Sequence, residues 1–142
     1  MSAHPAVPAR RPDHDAALRR VAFEFVTHYN NRDTHRVVSL FTDDGTTMPP
    51  FRPSAQGHGE LRRCYDQLFA QFDPRNLKIE ITHVEFDDNT AFEHGTYRQN
   101  VRLPDGTRLD DEGKWIATLR RVPNGDWRLV GNCWNTDLDL LR

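Results

Sequence analysis

Glu93 is the carboxylate whose neighbours could give it chemistry. It alternates with Ala91, Gly95 and Tyr97 at two-residue steps, so in a strand these four share one face. The same alternation groups Trp115 with Ala117 and Leu119, and Asn132 with Val130 and Trp134. A carboxylate held among aromatic rings loses hydration, which raises its pKa and lets it act as acid or base near neutral pH. The competing reading of Glu93 is a structural ion pair with a nearby Arg. Asn132 can orient a carbonyl or a water, or can satisfy a backbone group. Trp115 and Trp134 read as packing and ligand-contact surface, because an indole is a donor only.

Other chemistries find less support. The chain has seven histidines, but no His-x-His, no His-Glu-x-x-His and no three-ligand spacing, so no metal site is expected. His83 and His94 fall on adjacent strand candidates with parity that points them away from Glu93, and read as surface. Cys64 and Cys133 are the only two cysteines. That is too few for a disulfide framework or a thiolate metal site, and both read as reduced, half-buried thiols. No nucleophile motif surrounds either.

The elements that must position these residues follow from periodicity. Met1 to Pro12 holds three prolines and no apolar repeat and reads as a disordered arm. With Asp13 as N-cap, Leu18, Val21, Ala22, Phe25, Val26 and Tyr29 form the stripe of an amphipathic helix ending near Asn30. Thr34 is a candidate cap for a short second helix over Val37, Val38, Leu40 and Phe41, ended by Asp43-Asp44-Gly45. Thr46 to Met48 reads as a brief extended piece and Pro53 to Gly59 as loop. Leu61, Cys64, Tyr65, Leu68, Phe69 and Phe72 define a third helix, stopped before Pro74. From Leu77 the period changes to two. Leu77 to Phe86, Thr90 to Leu103, Thr107 to Val122 and Asp126 to Leu138 are strands, joined by turns at 87–89, 104–106 and 123–125.

These elements give an α+β fold, with three N-terminal helices packed on a strongly curved antiparallel sheet. Strands of this length must bend or bulge, and a bent sheet closed by helices encloses a cavity. At 142 residues the chain holds one core, a single domain over 13–142. A net charge of -2 leaves no basic footprint for nucleic acid. No run is apolar enough for a membrane span and the N-terminus lacks a secretory apolar core, so the expected location is cytoplasmic.

Asn31-Arg32-Asp33, the run Val38 to Gly45, Gly57, the set Ala91, Gly95 and Tyr97, and Gly113-Lys114-Trp115 through Trp127 to Asn135 resemble, in order and spacing, the nuclear-transport-factor-2-like superfamily. The likeness covers roughly Asp13 to Asp137, and is strongest to its small bacterial polyketide-cyclase-like and ketosteroid-isomerase-like proteins. It implies a cone-shaped, cystatin-like half-barrel whose three strand faces meet across a pocket, so that Phe25, Tyr65, Tyr97, Trp115, Val130 and Trp134 contact a small hydrophobic molecule beside Glu93 and Asn132. It also implies a homodimer through the outer sheet face.

The resemblance does not extend to the known catalytic residues. The isomerase pattern places its base at Pro49 and its oxyanion donors at Phe25 and Ala117, and none of these can move a proton. Tyr65 does match a Tyr that supports the isomerase oxyanion network. The epoxide-hydrolase pattern falls on Trp115, Ala117 and Asn132, where two carboxylates and an Arg would be needed. Two principal readings stay open: a cofactor-independent acid–base enzyme using Glu93, with Tyr65, Tyr97 and Asn132 orienting a carbonyl compound, and a non-catalytic binding domain with the same pocket. A third is an interaction domain that uses the outer face.

Overall fold

The computed structural model describes residues 12–139, so the expectation of a disordered arm over residues 1–12 lies outside the described residues except at Pro12, which is helical. Pro12 opens the first helix, α1 (Pro12–Asn30), at a position where its missing N–H has no partner to lose. Asp13 therefore sits inside the first turn with Asp15, where a negative charge suits the helix dipole, and is not the residue before the helix. Leu18, Val21, Ala22 and Tyr29 bury the expected stripe. Asn30 pins the far end, donating to the Leu77 carbonyl (3.2 Å) and accepting from the Leu77 N–H (2.8 Å).

The second helix, α2 (Thr34–Ser39), is capped by Asp33, whose carboxylate accepts from the Arg36 N–H at 3.1 Å. The expected cap, Thr34, instead donates to Asp66 at 2.6 Å. The helix is shorter than its apolar run because strand β1 (Phe41–Met48) begins at once. Phe41 to Gly45, expected to finish the helix and turn, is extended, and the Leu40 carbonyl accepts from the Leu129 N–H at 2.8 Å. Pairing with a distant strand satisfies these backbone groups better than another helical turn ended by glycine. A two-residue strand, β2 (Ala55–Gln56), lies within the segment expected to be loop, and α3 (His58–Phe72) follows.

The long strands are β3 (Arg75–Phe86), β4 (Thr90–Arg102), β5 (Arg108–Arg121) and β6 (Trp127–Thr136), close to their expected bounds. With β1 and β2 they make one six-stranded, curved and unclosed sheet in the order β2-β1-β6-β5-β4-β3. All neighbours are antiparallel except β1 and β6, which run parallel, a departure from an entirely antiparallel sheet. The helices cover the inner face: α1 packs on β3 and β6, and α3 on β1, β2 and β4.

Register arranges the inner face as rows across β4, β5 and β6. Ala91, Leu119 and Leu129 form one row, then Glu93, Ala117 and Asn132, then Gly95, Trp115 and Trp134, then Tyr97, Gly113 and Thr136. Gln99 and Asp111 begin a fifth. Gly95 and Gly113 are required where aromatic rings lie on backbone. A Cβ on Gly95 would stand 1.7 Å from the Glu80 carbonyl oxygen and 3.1 Å from the Trp115 ring; one on Gly113 would stand 2.7 Å from the Tyr97 ring.

Candidate functional site

Between α1 and these rows lies a cavity of about 80 Å³, lined among others by Phe25, Glu93, Tyr97, Trp115, Asn132 and Trp134. It has room for several water molecules or a small ligand group, since one water needs about 10–15 Å³ by this kind of measure. A second compartment of about 280 Å³ adjoins it and shares Tyr29, Gln99 and Trp134 as walls.

Glu93 is 2% exposed, and its Oε2 is sequestered without a hydrogen-bond partner. Burial raises its pKa from the ordinary 4.5 to about 7, and the positive charge of Arg19 only partly offsets this. Arg19 spends its own pairing on Asp15, at 3.2 Å. The structural ion pair weighed for Glu93 is therefore absent among the described residues.

Asn132 stands across Ala117 from Glu93 in the same row. Two antiparallel spacings put their Cα atoms about 10 Å apart, with a methyl group between, which leaves space for a flat group to lie over Ala117. The Asn132 amide is oriented by a closed ring of hydrogen bonds. Tyr65 OH donates to Thr47 Oγ1 (3.0 Å), Thr47 Oγ1 donates to Asn132 Oδ1 (2.6 Å), and Asn132 Nδ2 faces Tyr65 OH at 3.5 Å. With the amide oxygen occupied, Nδ2 keeps an N–H for the cavity, so Asn132 presents a donor where Glu93 presents an acceptor.

Several expected contacts are placed differently. Val130 is off the cavity wall: Leu129 pairs with Leu119 and Gly131 with Thr118, so Val130 is the extra residue of a β-bulge, and Leu129 takes the inward position. Tyr65 is fully buried and does not line the cavity; it reaches it through Thr47 and Asn132. Tyr97 lines the cavity with its ring, while its hydroxyl donates to Asp111 at 3.2 Å. Trp115 likewise offers only its ring, because its Nε1 donates to the Thr96 carbonyl at 3.0 Å. Phe25 and Trp134 line the cavity. Cys64 is buried rather than half-buried, Cys133 is half-buried, and both are free thiols.

Two polar features were missed. Thr47, wholly buried, lies in a segment read as a brief extended piece. Asp111, also buried, accepts from Tyr97, from Gln99 Nε2 (2.9 Å) and from Thr136 Oγ1 (2.6 Å), and Gln99 accepts from Tyr29 OH (3.3 Å). Continuing the alternation from Trp115 through Gly113 would have reached Asp111. Burial pushes the hydroxyls of Tyr29, Tyr65 and Tyr97 far above their ordinary range, so all three act as neutral donors. Among the described residues no group of three or more His, Cys, Asp or Glu could hold a metal. His83 and His94 stack on the outer face, ring centroids 5.3 Å apart, and no described helix is long and apolar enough to cross a membrane.

A family model described as SnoaL-like domain matches residues 22–132. No curated protein matches the sequence. Among solved structures, a ketosteroid isomerase-like protein from Erwinia carotovora atroseptica superposes with a TM-score of 0.80 at 24% identity, over 87% of this chain and 96% of that one. An NTF2-like protein with a cystatin-like fold from Novosphingobium aromaticivorans gives 0.72 at 18% identity, over 92% and 87%. A protein with a cystatin-like fold from Caulobacter vibrioides gives 0.75 at 14% identity, over 90% and 92%. At these identities the likeness is one of fold.

Proposed function

The chain belongs to the SnoaL-like family within the nuclear-transport-factor-2-like superfamily, and from that premise we propose that it is a cofactor-independent enzyme that moves a proton on a small hydrophobic carbonyl compound. The observation that carries this is Glu93: a buried carboxylate with one oxygen unpartnered, at the wall of an apolar cavity, half-protonated at about pH 7. A group poised there can take a proton from carbon and return it without a large cost in either direction. In the proposed step Glu93 removes a proton from the carbon beside the carbonyl, electron density moves onto the carbonyl oxygen, and Asn132 Nδ2 donates to that oxygen. The neutral Glu93 then returns the proton to the same or a neighbouring carbon. Phe25, Trp115 and Trp134 supply apolar surface that excludes water.

The test is deuterium exchange at the α-carbon of small apolar ketones in heavy water, followed by NMR. The rate should rise with pH through about 7 as Glu93 ionises, and Glu93→Gln should lower it by about a hundredfold or more, the usual contribution of a positioned base. Exchange unaffected by Glu93→Gln would remove the role. A second reading, a binding domain without turnover, draws on Phe25, Pro49 and Ala117, which offer no second acid; it predicts ligand binding with no exchange.

We further infer a homodimer through the outer sheet face, where Ile116 is 45% exposed beside the Phe92, His83 and His94 rings. Light scattering during gel filtration should give twice the chain mass, and a strict monomer would count against it. The free thiols suit a reducing cytoplasm.

A further inference from the structure

The wider compartment carries a cation at its rim with no ion-pair partner among the described residues. Arg52 follows β1 in the lip formed by Pro49, Pro50 and Phe51. Its guanidinium donates to Gln71 Oε1 and lies 5.7 Å from the centroid of the Phe72 ring. Both partners are uncharged. Arg19, Arg32, Arg36, Arg75 and Arg128 each face a carboxylate, and the other described arginines without an ion pair are exposed apart from half-buried Arg121, which lines neither compartment. Among the described residues no ion pair involves Arg52, although it is half-buried at the wall of an apolar chamber.

The rest of that chamber is oriented in the same sense. Phe51 stands beside Arg52 in a left-handed conformation (φ 65°) and 74% exposed, an unfavourable arrangement for a bulky residue that holds an apolar ring at the entrance. The walls are Leu68, Phe72, Val101, Leu103, Leu109 and Leu138. The one acid that faces the chamber is Asp111, deeper in, with its oxygens already accepting from Tyr97, Gln99 and Thr136. An anion is attracted at the rim and repelled further in. Tyr29, Gln99 and Trp134 are walls common to this chamber and the compartment of Glu93.

We propose that the cavity's ligand is an apolar organic anion that enters carbon skeleton first, leaving its carboxylate or a similar charged group on Arg52 while its far end reaches Glu93. This deepens the reading of the cavity as a ligand site and does not depend on Glu93 being catalytic.

The probes are anilinonaphthalene sulfonate and its uncharged parent phenylnaphthylamine, titrated by fluorescence against the full chain and its Arg52→Met and Arg52→Lys variants. The sulfonate should bind the unmodified chain about tenfold more tightly than the parent, the scale of one charge-assisted hydrogen bond, and added salt should weaken the sulfonate selectively. Arg52→Met should abolish the difference and leave the parent's affinity unchanged; Arg52→Lys should retain part of it. Equal binding of the two dyes overturns the proposal, as does a preference that survives in folded Arg52→Met. Should Arg52→Met fail to fold, selective weakening by salt and partial retention in Arg52→Lys decide the matter. A preserved preference alongside absent proton exchange would remove the enzymatic reading and leave this one standing. Binding of neither dye would overturn this proposal and leave the enzymatic reading to the exchange experiment.

Discussion

Glu93→Gln should make the protein relatively more stable as the solution becomes alkaline. In the folded chain Glu93 protonates at about 7, against an ordinary value of 4.5. Below 4.5 the carboxyl is neutral whether the chain is folded or not, and its charge affects nothing. As pH rises above 4.5 the unfolded chain releases this proton while the folded chain keeps it, so unfolding gains ground; the loss is complete once pH exceeds about 7. The gap between the two values corresponds to about 3 kcal/mol. Glutamine carries no such proton, so the variant escapes the loss, while its own buried amide adds a cost that does not vary with pH. The informative quantity is therefore the change in the difference between the two proteins, with all other titrating groups cancelling. Urea unfolding from about pH 4 to about pH 9 should show the variant gaining about 3 kcal/mol relative to the parent, or roughly 10 °C in melting temperature for a domain of this size. A difference that stays flat, or that moves toward the parent at high pH, would refute the argument that Glu93 is desolvated and unpaired.

Asn132→Leu should remove the donor facing Glu93 and leave Thr47 and Tyr65 without their amide partner, costing about 1–3 kcal/mol in urea unfolding and slowing ketone exchange at least tenfold. Gly95→Ala should destabilise by about 3 kcal/mol, since its Cβ meets the Glu80 carbonyl and β3 must shift; unchanged unfolding would mean that the strands approach less closely there. Leu129→Ala should cost about 2–5 kcal/mol and Val130→Ala much less, because the bulge turns Leu129 inward; the reverse order would place the bulge elsewhere.

What could be read from the chain depended on whether the deciding forces were local. The rows that carry Glu93, Ala117 and Asn132, and Gly95, Trp115 and Trp134, follow from two-residue alternation within each strand, and register then aligned them. Alternation cannot register an inserted residue, and so Val130 was placed on the wrong face: nothing near it in sequence marks the bulge. Phe41 to Gly45 has the composition of a helix stop, yet its conformation is set by β6, far along the chain. Helical spacing showed that Tyr65 is buried but not that Thr47 stands between it and the cavity, since Thr47 occupies the strand that local composition obscured. Asp111 is a different case. Its parity with Trp115 was visible, and three donors gather on it because Tyr97, Gln99 and Thr136 occupy the neighbouring rows.

The most direct measurement of the central claim is a carbon-13 NMR titration of the glutamate carboxyls, with the Glu93 signal assigned by its loss in Glu93→Gln. The account predicts a midpoint near 7 for that signal, which should be displaced when an apolar ligand fills the cavity and removes more water. A midpoint at or below 4.5, unmoved by ligand, would show a hydrated or paired carboxylate and contradict both the site and the proton transfer assigned to it.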